Sequence, residues 1–442
     1  MTSSSPSADS SGTPRPSGLG ARLRALALAA RLRALVPSLV LAAVSLLLAV
    51  AGAELVVRLV RPQPLTDATP GLYAPDPPRR YQLTPGHEGR VSNLVEFDTP
   101  VSIDARGMRT AAPPARSTGD ERFDVLVLGD SFTFGWGVEA QETFVARLGD
   151  ELAGRVATPV VTHNGGVPGF GLPDAVDWFE AHGLSLEPEA VVVAVFLGND
   201  LLDATAKHRE VDLVGGLVSQ DGGGGGPRRW VNRHLHLVRL AKRALPPSLL
   251  GALRGLVGID EEPWEIAYLR DTIGTYAVEP PPLVLEGQQA TRHAFDRLVE
   301  LSRRERFELA LVLLPDARQV DPARWASALR LLGADDAAYD PYRPVEFFLE
   351  LGRTAHDEVP VLDLLPSFRD AHEIGTALYF RYDPHWTVDG HALAADALGD
   401  FLQGQWTFDL EERNDVPTDD ERPQGERPQG ERPQGEQRTS PS

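Results

Sequence analysis

The chain contains no cysteine among its 442 residues. Disulfides and thiolate metal sites are therefore excluded. An extracytoplasmic destination stays open, because a chain of this size needs no disulfide to fold. An excess of basic charge is also missing. The formal net charge is −20, so no surplus cations exist to neutralise phosphates, and nucleic acid is not expected as a partner. Long apolar runs are scarce as well. One stretch stands out, the 20 uncharged residues from Ala34 to Ala53. Hydrophobic residues nevertheless make up 42%, enough for a sizeable core.

The apolar stretch is long enough to cross a hydrocarbon layer of ~30 Å as a helix. Arg22, Arg24, Arg31 and Arg33 precede it, which predicts a cytoplasmic amino terminus and an extracytoplasmic main domain. A signal peptide cleaved near Ala51-Gly52-Ala53, giving a secreted protein, and a buried core helix are the competing expectations. The expected organisation is a disordered basic segment over 1–33 and a transmembrane helix over 34–60. A Pro-rich stalk and extended lead-in follow over 61–121. An α/β domain spans 122–405, with an insertion at about 203–282. A disordered tail covers 406–442, where Glu-Arg-Pro-Gln-Gly occurs three times from Glu421 to Gly435.

Five apolar runs predict strands at Phe123–Leu128, Thr158–Thr162, Ala190–Leu197, Glu308–Leu314 and Val359–Leu364, with helical patterns between them. That alternation argues for a mostly parallel sheet with crossover helices, an α/β fold. Chemistry-bearing groups sit just after the first three runs. Gly129-Asp130-Ser131 follows the first, Asn164 to Gly171 the second, and Gly198-Asn199-Asp200 the third. Far downstream, Asp383-Pro384-His385 offers a carboxylate and an imidazole two residues apart, and Pro384 argues for a loop there. A sheet edge that collects Ser131, the Gly169 N–H and the Asn199 amide would hold a nucleophile beside an oxyanion hole. Strand-ending turns rich in Gly, Asn and Asp are the plainer alternative.

Two other patterns carry less. Gly135 to Ala140 fits a loose dinucleotide fingerprint, but Asp130 to Phe134 separate it from the strand end, and no cofactor is expected. The insertion holds Gly222 to Gly226 and then a basic stretch from Arg228 to Arg243. A lid, a helix on anionic lipid, or a solvated surface helix would each fit. His234 and His236 lack an acidic partner at ligand spacing, so no metal is expected.

The order of the four blocks resembles that of the SGNH (GDSL-type) hydrolase superfamily, over about residues 95–405. The resemblance implies a three-layer α/β/α sandwich on a five-stranded flavodoxin-like sheet, here preceded by one transmembrane helix. It implies Ser131 as nucleophile, His385 as general base and Asp383 as the carboxylate orienting it. It also implies an oxyanion hole from the Ser131 and Gly169 N–H groups and the Asn199 side chain. Many members place the aspartate three residues before the histidine and follow the histidine with proline. Here the spacing is two and Trp386 follows. That form is similar to membrane-associated SGNH proteins, including those that O-acetylate exported polysaccharides. The expected function is a membrane-anchored serine esterase acting on an acyl ester, acetyl foremost, of an envelope carbohydrate or lipid. An O-acyltransferase serving an exported polysaccharide and a catalytically silent glycan-binding module are the alternatives. Should His385 not be the base, His391 is the next candidate.

Overall fold

The computed structural model describes residues 18–408, apart from 62, 64–65, 78–79, 94, 111–121, 210–211, 220–234, 245–263 and 356–357. The Glu-Arg-Pro-Gln-Gly repeats, the glycine run at 222–226 and residues 1–17 lie outside the described residues; of the segment expected to be disordered over 1–33, residues 18–33 are instead helical. The chain divides into two compact units.

The smaller unit holds residues 1–65 and 226–251. Its long helix α1 (Gly18–Val60) contains the apolar stretch Val36–Val60, long and apolar enough to cross a membrane by length and composition. Glu54, near its end, accepts hydrogen bonds from the His236 N–H at 3.0 Å and the Leu237 N–H at 2.7 Å. These are orphan donors at the start of the helix His236–Ala244, so a carboxylate is well placed there. His236 Nδ1 accepts the Gln63 N–H at 2.8 Å, which gives that ring a structural use.

The larger unit, residues 66–225 and 252–442, is built on one parallel sheet. Its strands are β5 (Phe123–Gly129), β6 (Val160–Gly166), β7 (Ala190–Phe196), β10 (Glu308–Leu314) and β11 (Val361–Asp363), in the order β11-β10-β7-β5-β6. In chain order that is 2-1-3-4-5, the flavodoxin-like arrangement. Every residue of β5 and β7 is buried, as strands covered on both faces must be. Helix α3 (Phe144–Ala153) packs with Val388–Gln405, and α4 (Leu172–Ala181) packs with Pro282–Glu305, giving the helical layers. The three-layer α/β/α expectation holds.

The second strand begins two residues later than its apolar run and continues to Gly166. The residues Asn164-Gly165-Gly166 read as a turn but pair in register, Leu128 with Gly165 and Gly129 with Gly166. Glycine is required there. A Cβ on Gly166 would lie 2.2 Å from the Phe134 backbone nitrogen. The close approach of backbone to backbone brings the turn after β5 down against β6.

The lead-in differs from the expected stalk. Residues 66–110 form two antiparallel hairpins, β1 (Tyr73–Pro75) with β2 (Tyr81–Leu83) and β3 (Glu88–Ser92) with β4 (Asp98–Ser102). Their Leu72, Tyr81, Leu83, Val91, Val101, Ile103 and Met108 side chains join the main hydrophobic core. Burying these side chains favours a docked arm over an extended stalk. Arg109 then bridges to Asn164 on β6. Part of the insertion docks on the arm too. The β8 (Asp212–Val214) and β9 (Leu217–Ser219) hairpin accepts hydrogen bonds from Gly71 at Gly215 and from Tyr73 at Gly216.

Candidate active site

The strands β5, β6 and β7 end together, so whatever follows each of them is gathered at one edge. After β5, Asp130 caps the short helix α2 (Ser131–Phe134) by accepting the Phe132 N–H at 2.8 Å. Ser131 is the first residue of that helix. Gly135 ends it at φ 83°, a left-handed conformation suited to glycine.

His385 reaches Ser131 from the other end of the chain. Its Nε2 lies 2.8 Å from Ser131 Oγ, and its Nδ1 lies 2.5 Å from Asp383 Oδ1. The two-residue spacing works because Asp383 to His385 form a bent loop: Asp383 Oδ1 also accepts the His385 N–H at 3.0 Å. The loop is tied back by the Phe380 N–H to the His385 carbonyl at 3.0 Å. Trp386, fully buried, packs against Phe132 and Phe368 beneath the histidine. A large indole following the histidine thus wedges both ends of the chain's chemistry onto one core. With Nδ1 facing the carboxylate and Nε2 facing the hydroxyl, the ring can carry its proton on Nδ1 and accept at Nε2.

Gly169 stands in the turn after β6 at φ 82°. No described residue accepts a hydrogen bond from its N–H or from that of Ser131. Asn199 occupies the N-cap position of α5 (Asp200–Asp203), after β7. Its Nδ2 donates to Asp203 Oδ2 at 2.7 Å, which fixes the amide plane and leaves the second N–H of the same nitrogen for another acceptor. Its Oδ1 is buried without a hydrogen-bond partner among the described residues.

The electrostatics of this edge are acidic. Burial pushes the Asp130 carboxyl up to about 6, opposed by the Phe132 N–H. Burial, with Asp130 adding to it, pushes Asp203 up to about 8. Asp200 is raised further by burial and by Asp130 and Asp203. Buried acids without matching cations keep their protons.

His391 has a different place. It is buried in the helix Val388–Gln405, stacks on Phe144, and its Nδ1 accepts the Phe144 N–H at 3.2 Å. Burial, then Arg109, lowers its imidazole to about 3. It is a neutral packing residue that anchors α3.

Several residues that hold this edge were not singled out by the sequence. Arg109, 4% exposed, donates from Nη1 to the Phe134 carbonyl at 2.7 Å and to that of Gly135, and from Nη2 to the Val138 carbonyl at 2.6 Å. Glu96 accepts the Arg381 N–H at 2.6 Å and the Tyr382 N–H at 3.0 Å, directly before Asp383. Arg80 and Tyr81 touch the Gly169 turn. All four are isolated residues on the arm, and a lone Arg, Glu or Tyr carries no periodic signal. A pocket of about 310 Å³ adjoins the Asp383 loop, lined among others by Asp321, Arg324, His372, Tyr379 and Arg381.

Residues 284–430 match the family described as SGNH hydrolase-like domain, acetyltransferase AlgX. That segment carries Asp383 and His385; Ser131, Gly169 and Asn199 lie before it. No curated protein matches the chain. Among solved structures, the acetyl xylan esterase AlAXEase is similar at 14% identity and a TM-score of 0.35, over 63% of this chain and 98% of that one. A lipase/acylhydrolase from Enterococcus faecalis is similar at 12% identity and a TM-score of 0.34, over 65% and 99%. An acetylxylan esterase from Geobacillus stearothermophilus, in a catalytic mutant, is similar at 12% and 0.33, over 64% and 94%. The 2-1-3-4-5 sheet is the flavodoxin-like arrangement, and residues 284–430 are similar to an SGNH hydrolase-like domain.

Proposed function

We propose that this protein is a membrane-anchored serine enzyme that takes an acyl group, acetyl foremost, from an ester of an envelope carbohydrate or lipid onto Ser131. The observation that carries this is the continuous chain from Ser131 Oγ through His385 to Asp383, at 2.8 Å and 2.5 Å. In the proposed reaction His385 Nε2 takes the Ser131 proton while Oγ bonds to the ester carbonyl carbon. The carbonyl oxygen becomes an oxyanion and receives hydrogen bonds from the Ser131 and Gly169 N–H groups and the Asn199 amide. When the intermediate collapses, the carbon–oxygen bond to the alcohol breaks, and His385 returns the proton to the leaving oxygen. Acyl-Ser131 remains. Water, activated by the same imidazole, then completes a hydrolysis.

A sugar hydroxyl in place of that water completes a transfer, and the match to an acetyltransferase family favours this second reading. The two share every step up to acyl-Ser131 and part only at the acceptor. The stretch Val36–Val60 is proposed as the anchor, with the arginines before it held on the cytoplasmic side.

The test uses the full chain in detergent micelles with p-nitrophenyl acetate as donor. Acetyl-Ser131 should be trapped by rapid acid quench and found by mass spectrometry of the peptide, and Ser131→Ala should abolish it. Adding soluble oligosaccharides should produce acetylated sugar if transfer dominates and free acetate alone if hydrolysis does. Turnover surviving in Ser131→Ala would overturn the proposal. A phosphatase fused after residue 405, active only when exported, checks the orientation.

A further inference from the structure

The arm meets the Pro168–Gly169 turn with two hydrogen bonds of a particular kind. Tyr81 Oη donates to the Pro168 carbonyl at 2.8 Å. That carbonyl and the Gly169 N–H belong to the same peptide unit. A trans peptide is planar, and its C=O and N–H point in opposite directions. A donor held on the oxygen therefore fixes where the N–H points. It also polarises the amide and makes that N–H a stronger donor. Arg80 Nη1 donates to the next carbonyl, that of Gly169, at 3.0 Å, and to Asp174 Oδ2 at 2.8 Å, while its Nη2 donates to the His208 carbonyl at 2.8 Å.

The site is built rather than incidental. Tyr81 is 1% exposed, packs edge-on against Tyr73 and lies beside Phe170. Burial raises its phenol well above the ordinary value, so the hydroxyl stays protonated and can donate. The Arg80 and Asp174 side chains are 7% and 3% exposed. Gly169 has both a positive φ and no room for a side chain: a Cβ there would lie 2.8 Å from Tyr81 Oη. The glycine is required by its own backbone and by the tyrosine seated against it.

We propose that Tyr81 and Arg80 are positioning residues for the oxyanion site, Tyr81 aiming and strengthening the Gly169 N–H and Arg80 pinning the carbonyl that follows it. The inference rests on the acyl-enzyme reading above. It makes the arm part of the catalytic apparatus: residues about 90 positions before the turn set the strength of a donor at the sheet edge.

Tyr81→Phe removes one oxygen and keeps the ring packing. In the full chain with p-nitrophenyl acetate, kcat should fall about tenfold with KM within about twofold, since the donor acts on charge that appears only in the transition state. The rate of phosphonate labelling at Ser131 should fall in parallel, because the phosphonyl oxygen takes the oxyanion's place. Arg80→Lys keeps the charge beside Asp174 but loses the fork, and should lower kcat about threefold at unchanged KM. It carries the test if Tyr81→Phe does not fold. Wild-type kcat in the folded variants, or a loss lying wholly in KM, overturns the inference while wild-type labelling at Ser131 leaves the acyl-enzyme reading standing. A wild-type protein that neither turns over nor labels at Ser131 removes both.

Discussion

The sheet edge and the arm contribute to the same site in opposite ways. In the proposed reaction the edge supplies the reacting groups, each from a short segment directly after a strand: Ser131 after β5, Gly169 after β6 and Asn199 after β7. It also supplies buried acids, Asp130, Asp200 and Asp203. The arm supplies no reacting group. It supplies Arg80, Tyr81, Glu96 and Arg109, and each of these binds main-chain atoms of a segment that carries one. Backbone carbonyls at a strand end have lost their ladder partners and need donors. Arg80 and Arg109 meet that need with planar forks, and Glu96 meets the converse need of two N–H groups. The chemistry here is local in sequence, whereas its rigidity is not.

That contrast explains what could be foreseen. Apolar runs announce strands, and Gly-Asp-Ser, Gly-Asn-Asp and Asp-Pro-His announce themselves by standing at strand ends or in a loop. The parallel sheet was therefore legible in the runs, whereas its 2-1-3-4-5 order and the roles of Ser131, Asp383 and His385 followed from the resemblance. The arm was not, because its strands are three to five residues long and interrupted by proline and glycine. Its stability comes from tertiary burial, which a short strand does not advertise. The extension of β6 through Asn164-Gly165-Gly166 was hidden for a related reason, since glycine pairs signal turns unless a neighbouring backbone needs the space.

Substitutions at the edge itself should have the largest effects. Ser131→Ala and His385→Ala should each lower turnover by roughly 10³-fold or more without changing the melting temperature, since neither is a core residue. A comparable loss from an arm variant that remains folded would erase the distinction between reacting and supporting groups. Asn199→Ala should lower kcat by roughly 10²–10³ with little change in KM, as expected for a donor used in the transition state. A defect confined to KM would move Asn199 to substrate positioning.

Arm variants should show the other signature. Arg109→Leu leaves the carbonyls of Phe134 and Val138 without the guanidinium donor and takes one of two donors from that of Gly135, and should destabilise the protein by about 3 kcal/mol in chemical denaturation. A loss of activity without a loss of stability would mean that Arg109 acts on substrate and not on the fold. Glu96→Ala frees the Arg381 and Tyr382 N–H groups and loosens the approach to Asp383. Turnover should drop about tenfold, with stability changed far less than by Arg109→Leu. Unchanged turnover would show that the Asp383 loop holds itself.

Stability against pH tests the acids of the edge and how far the arm's cations compensate them. Asp203 keeps its proton up to about 8 in the folded state, chiefly through burial and Asp130, with Arg80 working against the shift. In the unfolded chain a carboxyl releases its proton near 3.9. Between those values the folded protein binds more protons than the unfolded one, so stability must fall as pH rises from about 4 to about 8. Asp203→Asn removes this titration but retains an oxygen to accept the Asn199 amide. Its melting temperature should decline less than that of the wild type between about pH 5 and pH 8, with the difference widest at the alkaline end. Parallel melting curves across that range would mean that Arg80 holds Asp203 ionised throughout, and that the arm neutralises the edge as well as bracing it.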